Sequence, residues 1–182
     1  GGGLTKMLSA LIASDFIDSY VPFGENKRNE HYRLTDPFCL FFQKFVKEQK
    51  ALADDFWMQN IDSAPINIWR GIAFEEICLL HIPQIKRALG ISGVSSTQAT
   101  WSMKGDESTS GTQIDMIIDR KDNVINMCEM KFYNEEFSVN KAYHAILVHR
   151  QKLLSEHLSR RKVIHPTLIT TYGLKYNEYS GD

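Results

Sequence analysis

Apolar residues recur along the chain at two periods, and the switches between them divide it into elements. Leu4, Met7, Leu8, Leu11 and Ile12 fall at helical spacing behind a glycine triplet. Residues 15–21 and 31–34 read as short strands around a polar, basic tip of Gly24, Asn26, Lys27, Arg28 and Asn29, which predicts a hairpin. A helix followed by a hairpin is the latter part of a winged helix. The first two helices of such a domain are not in this sequence, so the chain reads as a fragment of a longer protein. Thr35-Asp36-Pro37 is a helix start, with a capping side chain before a proline suited to the first turn. Phe38, Leu40, Phe41, Phe42, Phe45 and Val46 then carry a broad apolar face, which the pattern extends to Trp57. Its expected role is to join the hairpin to the next domain.

A second helical stripe passes through Ile68, Ile72, Glu75, Leu79 and Ile82, and residues 85–89 close on Gly90, a helix C-cap. Residues 97–103, 112–119 and 124–132 read as strands, separated by turns at 104–111 and 120–123. Helical spacing returns over 139–157, residues 167–172 form one more strand, and a polar tail follows. The order helix, three strands, helix, strand predicts an α/β core of about 110–120 residues, enough for one hydrophobic core. The expected division is 1–48 for the partial winged helix and connecting helix, 49–66 for a linker centred on 60–65, and 67–182 for the α/β domain.

Composition narrows the function classes. Of the 182 residues, 43% are hydrophobic and 24% charged, a globular balance and not that of a disordered chain. A formal net charge of -1 excludes a uniformly basic nucleic-acid binder but leaves room for local basic patches. The apolar runs are too short for a bilayer span, and no basic segment followed by an apolar one marks a secretory signal. Cys39, Cys78 and Cys128 are widely spaced and form no CxxC, which reads as reduced thiols in a cytoplasmic protein. The six histidines form no HExxH, the serines no GxSxG elbow, and GxxxxGK[ST] is absent, so this segment has no phosphate loop.

The chemistry concentrates on the two middle strands. Regular alternation puts Asp115 on a face with Gln113 and Ile117, and Glu129 and Lys131 on a face with Met127. A three-residue loop, Lys121-Asp122-Asn123, with Asn123 left-handed, pairs Arg120 with Val124. That register sets Asp115 opposite Glu129 and Gln113 opposite Lys131, whereas a two-residue loop would put the carboxylates on opposite faces. Adjacent carboxylates repel unless a cation joins them. Oxygen ligands suit a hard divalent ion, Mg2+ or Mn2+. Such an ion polarises a phosphoryl oxygen and activates water, and Lys131 beside it can orient or deprotonate the nucleophile. The functional reading is phosphodiester hydrolysis. The plain alternative is a charged strand face turned to solvent.

Taken together with the element order, these residues resemble the PD-(D/E)XK nuclease superfamily. More specifically, the chain looks like the nuclease-like domain at the C-terminus of archaeal-type AAA+ ATPases of prokaryotes. Gly71-Ile72-Ala73-Phe74-Glu75, Gln113-Ile114-Asp115 and Glu129-Met130-Lys131 carry the resemblance. Tyr32-Arg33-Leu34-Thr35-Asp36-Pro37-Phe38 is similar to the segment between ATPase and nuclease in that family. The resemblance implies a restriction-endonuclease-like core, helix, three-stranded antiparallel or mixed sheet, helix, strand, preceded by a partial winged helix. It implies that Asp115, Glu129 and Glu75 hold Mg2+ or Mn2+, that Lys131 is catalytic with these acids, and that Gln113 supports them. DNA is the implied substrate, and an upstream AAA+ ATPase domain of the same protein the implied partner. The helical period alone leaves Glu75 and Glu76 undecided, and the family pattern favours Glu75. A catalytically inactive nuclease fold that binds DNA or regulates the ATPase is the alternative.

Charge is unevenly spread. Residues 141–175 hold seven lysines and arginines against Glu156 alone, and residues 106–136 hold eight acids against three bases. An acidic site beside a basic helix suits a polyanion held by its phosphates. Lys141, Arg150 and Lys152, with Lys27 and Arg28 at the hairpin tip, are the expected nucleic-acid contacts. Solvated surface charge is the competing account of each.

Overall fold

The structure is a computed structural model describing residues 2–47, 53–105 and 110–180. Helix α1 (Gly2–Ala13) leads into the antiparallel hairpin β1 (Ile17–Tyr20) and β2 (His31–Leu34), whose tip makes one 3-10 turn at Lys27–Asn29. Asp36 caps α2 (Pro37–Phe41) by accepting the Phe38 N–H, as the sequence predicts. The helix does not run on to Trp57. It widens into a π turn at Phe42–Val46, and α3 (Phe56–Asn60) is separate, with residues 48–52 outside the described ones. Phe41 packs edge-on against Trp69 at 5.3 Å between centroids, and Phe45, Phe56 and Trp57 complete the aromatic group. A cluster, and not one long helix, brings residues 41–45 against Phe56, Trp57 and Trp69.

Helix α4 (Ala64–Leu80) begins where a linker was expected. Pro65 explains both readings: it interrupts a pattern, yet in the first turn of a helix its missing N–H costs nothing. The buried residues of α4 are Ile66, Ala73 and Cys78. Ile68 and Ile72, on the expected inward stripe, stand 57% and 41% exposed. The helix is apolar on several sides, so periodicity could not choose between them. After α5 (Ile82–Ala88), the chain turns at Gly90, whose φ of +69° favours glycine.

The sheet has the order β3-β4-β5-β7, from β3 (Ser96–Met103), β4 (Thr112–Arg120), β5 (Val124–Lys131) and β7 (Val163–Thr170). The first three strands are antiparallel and β5/β7 is parallel, joined by α6 (Lys141–His157). The fold is mixed α/β with a mixed four-stranded sheet. One face packs Ile114, Ile117, Ile125 and Met127 against Leu153 and Leu154 of α6. The other packs Met116, Ile118, Cys128 and Met130 against Cys78 of α4, with Phe74, Ile82 and Ile85 around it. With both faces covered, residues 125–130 of β5 are all buried, so this central strand lacks an exposed polar face.

Strand β7 starts four positions before the expected 167. Pro166 hides its first half, yet proline is tolerated because β7 is the outermost strand. The tail is not unstructured: β8 (Leu174–Lys175) pairs in parallel with β6 (Phe137–Ser138). Two-residue strands leave no periodic trace. Among the described residues no helix is long and apolar enough to cross a membrane.

Candidate active site

The β4–β5 turn sets the geometry. Asn123 has a φ of +64°, as the three-residue loop requires, and the ladder runs from Asp119↔Ile125 to Met116↔Cys128. One step further along this register Asp115 meets Glu129. The backbone ladder stops there, and Asp115 Oδ2 instead accepts the Met130 N–H at 2.8 Å.

On its other edge β4 is irregular. Ala99 pairs with Ile117 but Trp101 pairs with Ile114, so Asp115 and Met116 together face Thr100. A bulge bends the strand and re-aims the side chain it carries. It also overturns the expected face sharing: Ile114 and Ile117, three apart, lie in the same core, so Asp115 does not alternate in step with Ile117. Gln113 pairs with Ser102 on β3, while Lys131 pairs with Thr170 on β7. The expected Gln113–Lys131 pairing is not among the paired positions, because the β4–β5 ladder ends short of it.

Lys131 ties the acids together. Its Nζ lies 3.7 Å from Asp115 Oδ2 and 3.7 Å from Glu129 Oε2, with its side chain 31% exposed. Glu129 is 1% exposed. Its Oε2 accepts from Arg150 Nη1, and from the Tyr143 hydroxyl at 3.4 Å. Its Oε1 is buried without a hydrogen-bond partner. Burial, then the charge of Asp115, pushes the Glu129 carboxyl up, against the pull of Arg150 and Lys131.

The structure separates the two candidate glutamates on α4. Glu75 is pushed up to about 7 by burial and then by Asp115, with Lys131 acting the other way, so it belongs electrostatically to this site. Glu76 faces the hairpin, its Oε2 3.7 Å from Arg33 Nε. Burial raises its carboxyl, and Arg33 opposes that rise. Burial also holds the thiols of Cys78 and Cys128 up, to about 11 and about 12, which makes them packing groups and not nucleophiles.

Of the expected nucleic-acid contacts, Lys27 and Arg28 are exposed in the hairpin turn and Lys141 is exposed at the start of α6. Lys152 is exposed, 3.9 Å from Glu156. Arg150 is different, because its guanidinium points inward to Glu129. The residues that sequence reasoning missed are Tyr143, and Arg150 in this role. The signal was available: Tyr143, Leu147, Arg150 and Leu154 form one stripe of α6, and Leu147 and Leu154 are buried. Asn140 fixes the first turn by accepting the Tyr143 N–H at 2.8 Å.

Among the described residues no three His, Cys, Asp or Glu side chains stand as a group that could hold an ion. Two carboxylates beside one ammonium, with a third acid coupled to them, remain a hard oxygen donor set. In that set Glu129 Oε1 is buried without a hydrogen-bond partner. In donor chemistry the residues fit Mg2+ or Mn2+. Compared with family models, curated proteins and solved structures, the chain matches none. The functional reading therefore rests on geometry.

Proposed function

We propose that the chain is a metal-dependent, endonuclease-like module that cleaves phosphodiester bonds, with DNA as substrate. In this reading it is a restriction-endonuclease-like core behind a partial winged helix, working as the C-terminal part of a larger cytoplasmic AAA+ ATPase. The observation that carries the reading is Lys131 Nζ, equidistant at 3.7 Å from carboxylate oxygens on two neighbouring strands. The strand order and the acid supplied by α4 support it.

Asp115, Glu129 and Glu75 would hold the divalent ion. When bound, the ion supplies Lewis acidity toward a phosphoryl oxygen and a water of lowered pKa. The remaining work belongs to the chain. The Met130 N–H holds one oxygen of Asp115, which fixes the carboxylate at the point where β4 bends. The Lys131 ammonium, partly open to solvent, orients the attacking water and offsets charge gathering on the phosphate. The exposed Lys27, Arg28, Lys141 and Lys152 would steer the polyanion.

One observation favours a second reading. Lys131 and Arg150 already neutralise the acids, and among the described residues no three-ligand group is assembled. That suits a catalytically inactive fold that binds DNA or regulates its ATPase. Incubating the protein with supercoiled plasmid and Mg2+ or Mn2+ separates the two. The nuclease reading expects nicking or linearisation that falls roughly 100-fold or more in Lys131→Ala and Asp115→Asn. Binding without cleavage in both metals rejects it in favour of the inactive fold.

A further inference from the structure

Helix α6 does more than cover the sheet. Arg150 was expected on a phosphate, yet its side chain is only 20% exposed and its Nη1 donates to Glu129 Oε2. Its Nε is buried without a partner, and Glu129 is the hydrogen-bond partner the described residues give this guanidinium. A phosphate-reading arginine would send its donors outward. The Tyr143 hydroxyl donates to the same oxygen at 3.4 Å, and the Tyr143 ring lies beneath Lys131 Nζ, 5.9 Å from its centroid. The contacts of Arg150, the Tyr143 hydroxyl and Lys131 with Glu129 are all to Oε2, while Oε1 is buried without a hydrogen-bond partner.

We infer that Arg150 and Tyr143 are positioning residues: they lock Glu129 by Oε2 so that Oε1 is presented as the ligand atom for a divalent cation. The inference rests on the metal-dependent reading above and adds to it the residues that aim the ligand. Without Arg150, Oε2 keeps only the long tyrosine contact and nearby Lys131. A buried carboxylate so short of donors turns to recover partners, and Oε1 no longer faces the cation. Groups behind a metal ligand act on metal affinity directly, whereas a phosphate contact acts on DNA.

The test uses the whole chain and two separate measurements. Calorimetric titration with Mn2+ without DNA reports the cation. Fluorescence anisotropy of a labelled duplex in EDTA reports DNA. Arg150→Met is expected to weaken Mn2+ binding about 10- to 100-fold and leave duplex affinity in EDTA unchanged. Arg150→Lys, which keeps a cation in reach, should recover part of the loss. Tyr143→Phe should cost about two- to threefold, matching its long bond. Circular dichroism melts check folding. Should Arg150→Met not fold, Arg150→Lys and Tyr143→Phe decide, and wild-type Mn2+ affinity in both overturns the inference. Unchanged or tighter Mn2+ binding in a folded Arg150→Met overturns it as well. If duplex binding falls at the same time, Arg150 is a phosphate contact after all. A wild-type chain that fails to bind Mn2+ removes the metal-dependent reading itself, and this inference with it. Wild-type binding with an indifferent Arg150→Met removes the inference alone.

Discussion

Single residues set the charge state of the site. The Glu75 carboxyl, pushed up to about 7, holds its proton in the folded chain where an unfolded chain has already lost it. Between the ordinary glutamate value and about 7 the native state binds more protons, so stability falls as pH rises through that window and levels above it. Glu75→Gln removes this contribution. In EDTA, urea unfolding is expected to show the variant gaining on wild type from pH 5 to pH 7.5, and an unchanged difference would remove Glu75 from the buried acid group. Asn123 is the second decisive position, since its φ of +64° is a conformation that β-branched residues avoid. Asn123→Gly should be tolerated, while Asn123→Val should cost about 1–2 kcal/mol by urea unfolding. The β4–β5 register was readable before the fold because this one residue type announces the turn. The irregularity at Asp115 was not, because a bulge depends on what the neighbouring strand offers and leaves no mark in its own composition.

Elements tell a similar story about what local pattern can carry. The strands read at 97–103, 112–119 and 124–132, and found at 96–103, 112–120 and 124–131, stood out because alternation and turn residues agreed. Helix α4 was visible as a helix, but its inward face was not: isoleucines and leucines surround it, and only the sheet's arrival determines that Ile66, Ala73 and Cys78 are covered. The same limit left Glu75 and Glu76 tied until Arg33 claimed one of them. On the sheet, Ile117 is 0% exposed between the strands and α6. Ile117→Ala is expected to cost about 2–5 kcal/mol by chemical denaturation. Because Ile117 lies two positions from Asp115, that variant should also lose Mn2+ affinity more than its stability loss accounts for. Ile164→Ala, in the same core but remote from the acids, should not.

Across the whole molecule, three contacts among the described residues tie the hairpin region to the α/β core beside the aromatic group. Trp69 Nε1 donates to the Pro37 carbonyl at 3.1 Å, Phe23 N–H donates to Thr100 O at 2.8 Å, and Arg33 faces both Asp18 and Glu76. Arg33 Nε and Glu76 Oε2 are buried without hydrogen-bond partners, so each relies on the other's charge across 3.7 Å. Arg33→Ala strands a buried acid and should cost about 1–3 kcal/mol, while Arg33→Ala with Glu76→Gln should regain part of that. Purely additive losses in this double-mutant cycle would show that the contact couples nothing.

The Phe23 bond has a further effect. Strand β3 is the outer strand on its side of the sheet, and Thr100 is the residue opposite the bulge. The incoming loop occupies that carbonyl, and Phe23 packs on the core beneath it. Trimming away the first thirty-six residues would uncover this margin, and an open strand margin recruits strands from other molecules. The shortened protein should therefore self-associate, eluting from a sizing column ahead of its monomer mass, while the full 182-residue chain covers Thr100 on that border with its own backbone.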